Sequence, residues 1–230
     1  MYRPKQFEIA DDAEMLDLIR ANGFADHGTA RSYLQLIDYV ERHDLSQDAH
    51  YAHVQTLMDV ENFAEYWIFQ MFISNADNGN IRFWREDTPE GRWRWLLYDL
   101  DWAWRYVEPD TVAFSTNPQG TGANKAFRTI LIRQLLTNDD FRDLFLRLCG
   151  EHLRETFAPE RTLPMIDTLA KEIEQEAAAR RDPKTKSRSG HQNDHFEGNL
   201  ACRALAACGV AAQGRRWVSR QPTGLYHTHA

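Results

Sequence analysis

Apolar positions recur at helical spacing through most of the chain and alternate in one short stretch only. Met15, Leu16, Leu18 and Ile19 predict a helix over Ile9–Asn22. Asp11, Asp12 and Glu14 stand early in it, where acidic side chains face the positive end of the helix dipole, and Gly23 is its stop. Residues 1–8 read as a frayed arm. Tyr33, Leu34, Leu36, Ile37 and Val40 mark one face of a second helix, Thr29–His43, which a polar connector, Asp44–His50, follows. Asp59 reads as the N-cap of a third helix, Val60 to about Ser74. Its wide stripe of Phe63, Trp67, Ile68, Met71 and Phe72 predicts burial on more than one side.

Asn75–Asn80 breaks that helix with Asn, Asp and Gly, residues that tolerate left-handed backbone and bond locally to it. Ile81–Arg85 then alternates as a strand, Asp87–Gly91 is a hairpin-like loop, and Trp93–Tyr98 is the partner strand. This antiparallel ribbon should bring Asp99 and Asp101 close to the elbow. Pro109–Asn124 has no period and reads as a long exposed loop. Three further helices are expected: Lys125–Leu136; Phe141 to about Thr156, capped by Asn138-Asp139-Asp140; and Arg161 to about Arg180, with Leu163, Ile166, Leu169 and Ile173 facing in. The fold class is thus α+β, predominantly α-helical, with one short antiparallel β-ribbon. Residues 1–181 read as one domain. Residues 182–230 shift to Ala, Arg, Gly and His and read as a disordered or poorly packed tail, or as an out-of-frame ending.

The bulk composition narrows the function classes. The chain has 230 residues, 43% of them hydrophobic, enough for a sizeable core. A formal net charge of -7 argues against non-specific nucleic-acid binding, which needs phosphate-neutralising Lys and Arg. No apolar run approaches the ~20 residues that span a bilayer, and no secretory leader is visible at the given start. The default compartment is therefore the cytoplasm, with a secreted or spore-coat location open for a chain whose true start lies upstream. Cys149, Cys202 and Cys208 form no CxxC pair and no disulfide framework. His43, His50 and His53, with no cysteine near them, read as solvated histidines at helix ends rather than as a metal set.

Candidate chemistry concentrates between Glu61 and Tyr106. Asp77, Asn80, Asp99 and Asp101 are hard oxygen donors of the type that holds Mg²⁺ or Mn²⁺ beside substrate phosphates. A loop Asp that takes a proton from an attacking hydroxyl, an amide just beyond it on a metal, and a strand-end Asp on that metal make up the division of labour of kinase-type phosphoryl transfer. Asp77 and Asp99 stand 22 residues apart, room for two strands and a turn. The competing reading is that these are turn and cap residues with no chemistry.

The blocks Asn75-Ala76-Asp77-Asn78-Gly79-Asn80, Gly91-Arg92-Trp93 and Tyr98-Asp99-Leu100-Asp101, in this order after an aromatic helix, resemble the C-terminal half of the CotH kinase family, the spore coat protein H-like atypical protein kinases. The resemblance covers roughly residues 30–180 and is best over 59–106. It implies a protein-kinase-like C-lobe that transfers phosphate from ATP to Ser or Thr of a protein substrate, with Mg²⁺ or Mn²⁺. By position, Asp77 matches the catalytic base. Asn80 (or Asn78) matches the metal-binding amide at the nucleotide, and Asp99 or Asp101 the metal aspartate. Tyr98 stands where family members usually have Trp.

Two departures qualify the match. Asn80 follows Asp77 by three residues, where typical kinases leave about five. No Gly-rich phosphate loop and no strand-borne ATP lysine is found in residues 1–58, which read as helical, so the N-lobe is expected to be missing and the chain to be a fragment. A non-catalytic, pseudokinase-like scaffold is the alternative, with Trp67, Trp93, Trp95, Trp102 and Trp104 as its core. A haloacid-dehalogenase-type phosphatase fits less well: Trp95–Asp101 gives the strand and Asp-x-Asp, but Ala103 stands where Thr or Val is needed and no alternating βα pattern follows.

Overall fold

The computed structural model describes residues 15–20, 23–75, 80–103, 110–118, 120–121, 124–125 and 129–180. The expected arm at residues 1–8 and the tail from 182 lie outside them. The chain divides into two compact units, Met1–Leu148 and Cys149–Ala230.

The first unit is built on a four-stranded antiparallel sheet of order β2-β1-β3-β4. Its strands are β1 (Leu16–Arg20), β2 (Phe24–His27), β3 (Arg82–Glu86) and β4 (Arg94–Leu96). The ribbon expected from the sequence is β3 and β4, in the register Arg82–Leu96, Phe83–Trp95, Trp84–Arg94. Among the described residues of the helix expected over Ile9–Asn22, 16–20 form instead the inner strand β1, and Gly23 (φ +98°) leads into β2 rather than ending a helix. The misreading has a physical source. In β1 the buried face carries Asp17 and Ile19, so a charged residue occupies a core position and the apolar alternation is hidden. Asp17 sits opposite Arg85 of β3. Its carboxylate accepts the Arg85 Nε–H at 3.1 Å and the Thr29 backbone N–H at 2.7 Å, which makes the burial tolerable.

Helices α1 (Arg31–Arg42), α2 (Asp48–Leu57) and α3 (Val60–Phe72) follow. Helix α1 forms as expected and buries Leu36 and Val40, but Leu34 of the expected apolar face is exposed. The polar connector expected over 44–50 is cut short by α2, whose apolar face is narrow, with Tyr51 and Val54 buried. Asp59 caps α3 as expected, accepting the Asn62 N–H at 3.1 Å. Seven of its residues, including Phe63, Trp67, Ile68 and Met71, are buried, the two-sided burial that the wide stripe predicts.

An aromatic core joins these helices to the sheet. Tyr33 of α1 packs on Phe83 (ring centroids 4.3 Å apart), and Phe63 of α3 meets Trp95 edge-on at 4.5 Å. Burial of Tyr33 and Tyr66 pushes both phenols above their ordinary range. The outer edge of β4 is closed by the chain entering α3. Trp93 N–H donates to the Leu57 carbonyl, and the Trp93 carbonyl accepts the Asp59 N–H, both at 3.0 Å. The Asn62 side chain then serves Trp95 as a strand would, accepting its N–H at 2.7 Å and donating to its carbonyl at 3.4 Å.

The expected long loop at 109–124 contains instead helix α4 (Thr111–Thr116), capped by Asp110 onto the Ala113 N–H, and a two-residue hairpin of β5 (Gly120–Thr121) and β6 (Asn124–Lys125). Ser115 and Thr116 are buried, which a polar composition conceals. Helix α5 is Ile130–Leu135, shorter than expected at its start. Asn138 alone of the Asn-Asp-Asp triplet caps α6 (Asp139–Arg154), accepting from the N–H groups of Asp140 and Phe141. In the second unit, α7 spans Pro159–Arg180. Leu169 and Ile173 do not face in: they are 52% and 68% exposed. The 3.6 period identifies a helix but not what covers its apolar side.

Candidate functional site

Helix α3 delivers the chain to the site. Its C-terminus closes with the Asn75 N–H on the Gln70 carbonyl at 3.2 Å, around Ser74 in left-handed backbone (φ +51°). A glycine is usual there; a serine tolerates the conformation at some cost. The elbow begins at Asn75, which is buried. Asp77 and Asn78 lie outside the described residues.

The chain is described again from Asn80, two residues before β3. Here one pair of the expected site residues comes together: the Asn80 Nδ2–H donates to Oδ2 of Asp99 at 2.8 Å. Strand register alone does not produce this contact. Continuing the β3–β4 register beyond Arg82–Leu96 would set Asn80 opposite Tyr98. The contact forms because Asp99 leaves the extended conformation for φ +51°, one of two non-glycine residues with positive φ among those described. Asp tolerates this region better than most residues. Both Asn80 and Asp99 are exposed. Asp101 is exposed as well, two residues on, in the turn closed by the Ala103 N–H on the Leu100 carbonyl at 3.0 Å.

The donor set fits a hard divalent cation. An amide and a carboxylate sharing a hydrogen bond at the solvent-open ends of two paired strands leave oxygen donors for a cation that keeps most of its waters or takes phosphate oxygens. Among the described residues no three His, Cys, Asp or Glu side chains form a metal-binding group. A magnesium site of one or two protein donors does not require one.

The three histidines are not simply solvated, as the sequence suggests, but gather on Tyr39. His43 stacks on its ring at 4.0 Å and bonds its carbonyl through Nδ1 at 2.8 Å. His50 Nδ1 meets the Tyr39 hydroxyl at 2.8 Å, and the His53 ring lies 4.4 Å away. Beside them a cleft of about 330 Å³, lined by Gln35, Tyr39, His53, Arg85 and Trp93, opens at the hairpin-loop end of β3 and β4, away from Asn80 and Asp99. Of the tryptophans expected in the core, Trp67, Trp93 and Trp95 are buried, Trp102 is 40% exposed, and Trp104 lies outside the described residues.

Sequence reading also missed residues that fix the site. Asn62 ties β4 to α3, and Arg82 lays its guanidinium 4.4 Å from the centroid of the Tyr98 ring, next to Asp99. The alternation of β3 placed Arg82 on a strand, but nothing in the pattern paired it with Tyr98.

Fold and site together define a mostly helical α+β protein with an amide–carboxylate pair at the open ends of an antiparallel hairpin. Residues 19–201 match the family model described as CotH kinase protein, and the chain belongs to the CotH kinase family. No curated protein and no solved structure matches the chain. Among the described residues, no helix is long and apolar enough to cross a membrane.

Proposed function

We propose that this chain carries the metal-binding end of a phosphoryl-transfer site, serving the transfer of phosphate from ATP to Ser or Thr of a protein substrate. The observation that supports it most is the Asn80–Asp99 pair, held at 2.8 Å across the ends of β3 and β4 in a member of the CotH kinase family. Asn80 and Asp99 would hold Mg²⁺ or Mn²⁺, with Asp101 as a further carboxylate two residues on. When bound, the cation offsets the negative charge of the ATP phosphates. Asp77 is assigned the general base that accepts the proton of the attacking hydroxyl. Asn80 keeps its amide on Asp99, so that the carboxylate is oriented before any ligand arrives.

A non-catalytic scaffold is the second reading, and one observation favours it: none of the four strands of the described sheet bears a lysine to hold the α- and β-phosphates. The sheet is antiparallel throughout, so it lends the phosphatase reading no support. Calorimetric titration of ATP with Mg²⁺ or Mn²⁺, on the parent and on Asp99→Ala plus Asp101→Ala, separates the two. Metal-dependent binding that the double variant loses is the expected result. A parent that binds no ATP with either metal refutes the proposal for this chain and leaves a truncated kinase or a scaffold.

A further inference from the structure

We infer that Arg82 is a positioning residue for Asp99, acting through the Tyr98 ring. This rests on the reading of Asp99 as a metal carboxylate. Strand β4 ends at Leu96, and the next three residues have no regular structure. Yet Asp99 must hold a left-handed backbone, at φ +51°, for its carboxylate to reach Asn80. A segment beyond the last ladder hydrogen bond does not keep such a conformation by itself. The Arg82–Tyr98 contact supplies the constraint.

Arg82 is well placed to do so. It pairs with Leu96 across the ribbon, so its side chain and that of Tyr98, two residues past Leu96, share one face of the sheet. The guanidinium lies 4.4 Å from the Tyr98 ring centroid. It is itself fixed: Nε pairs with Asp26 of β2 at 3.3 Å, and Nη1 donates to the Ile81 carbonyl at 3.2 Å. Asp26 also holds Arg20 of β1 at 3.0 Å. A carboxylate of β2, shared with Arg20 of β1, and the Ile81 carbonyl therefore anchor one planar cation, and the planar cation holds the ring next to Asp99. The side chain of Arg82 is 19% exposed while Tyr98 is 45% exposed, so the cation is the rooted partner and the ring the one it restrains. Arg82 touches no reacting group in this account; it sets the direction of one that does.

The test uses the full chain and Tyr98, an exposed residue whose substitution opens no cavity in the core. In metal-free protein, the Asn80 side-chain amide resonances in ¹⁵N-correlated spectra report its bond to Asp99. Tyr98→Ala and Arg82→Met should shift them toward solvent-exposed values, and Tyr98→Phe, which keeps the ring, should not. In Mn²⁺ titrations of ATP binding, Tyr98→Ala should raise the half-saturating metal concentration about 10-fold, the usual effect of losing a residue that orients a ligand. Tyr98→Phe should stay near the parent. A parent that binds no Mn²⁺ with ATP refutes the functional reading. A parent that binds, with Tyr98→Ala unchanged in both readouts, refutes the positioning role alone.

Discussion

Asp17→Ala is the sharpest test of how the sheet is held. Asp17 is 1% exposed in the central strand, and its carboxylate takes one hydrogen bond from Thr29 N–H at 2.7 Å and one from Arg85 Nε–H at 3.1 Å. Truncation strands an Arg side chain only 15% exposed and removes the acceptor of the Thr29 N–H at the approach to α1. Breaking a buried ion pair from one side costs about 3–5 kcal/mol. Arg85 keeps Asp87, which its Nη2 meets at 2.8 Å, so the lower end, about 3 kcal/mol, is expected. That is a large share of the roughly 5–15 kcal/mol by which domains are stable. Urea unfolding of parent and variant measures it. Asp17→Asn keeps an acceptor for Thr29 and should lose about half as much. Arg85→Met completes a double-mutant cycle whose coupling should exceed ~1 kcal/mol. A loss below about 1 kcal/mol for Asp17→Ala would refute the claim that this pair joins β1 to β3.

Three further outcomes follow from local geometry. Gly91 is buried at the end of the hairpin loop, and a Cβ there would overlap the Glu86 carbonyl oxygen; Gly91→Ala should lower the urea midpoint by an amount equivalent to about 2 kcal/mol or more, and an unchanged midpoint would contradict the loop geometry. Asn62→Leu leaves the N–H and C=O of buried Trp95 without their side-chain partner and should destabilise by about 1–3 kcal/mol in the same assay. Tyr51 has its phenol pushed up to about 12 by burial, with the Asp140 carboxylate adding to the shift. A raised folded-state pKa gives stability that is whole below the ordinary value of 10.0 and is lost as pH rises toward 12, so unfolding free energy measured across that window should fall less steeply in Tyr51→Phe, by up to about 1.4 kcal/mol per pH unit.

The elements legible in the sequence are those whose apolar period matches their burial. Helix α3 is the clearest, with Asp59 at its cap and an aromatic stripe that ends up covered on more than one side. The β3–β4 hairpin is legible because Ile81 and Phe83 on one side, and Trp93 and Trp95 on the other, alternate at strand spacing around a loop that holds Pro89 and Gly91. Strand β1 was illegible because its core-facing position is Asp17, a residue whose burial only its partners explain. Ser115 and Thr116 misled in the same way, with buried hydroxyl residues imitating a loop. Helix α7 is the opposite case: the helix forms, yet Leu169 and Ile173 at helical spacing are exposed, because periodicity says nothing about the partner surface.

At the candidate site the division is finer. Residue type and order pointed to Asn80, Asp99 and Asp101 as hard donors, but could not choose between the two aspartates. Backbone conformation decides only which of them meets Asn80. In an extended strand, Asp99 would point to the opposite face from Tyr98, and Asn80 would lie across from Tyr98. A single left-handed residue at the strand end turns the Asp99 carboxylate onto Asn80, while Asp101 passes into a separate turn. No hydrophobic pattern encodes such a residue, since Asp in left-handed backbone has the same composition as Asp in any loop. What the sequence does contain is the means of holding it: Arg82 two residues after Asn80, and an aromatic residue immediately before Asp99. The aromatic at that position is therefore part of the site's geometry. Its ring gives the guanidinium a surface to restrain, and a change there that removes the ring removes the restraint on the carboxylate that follows.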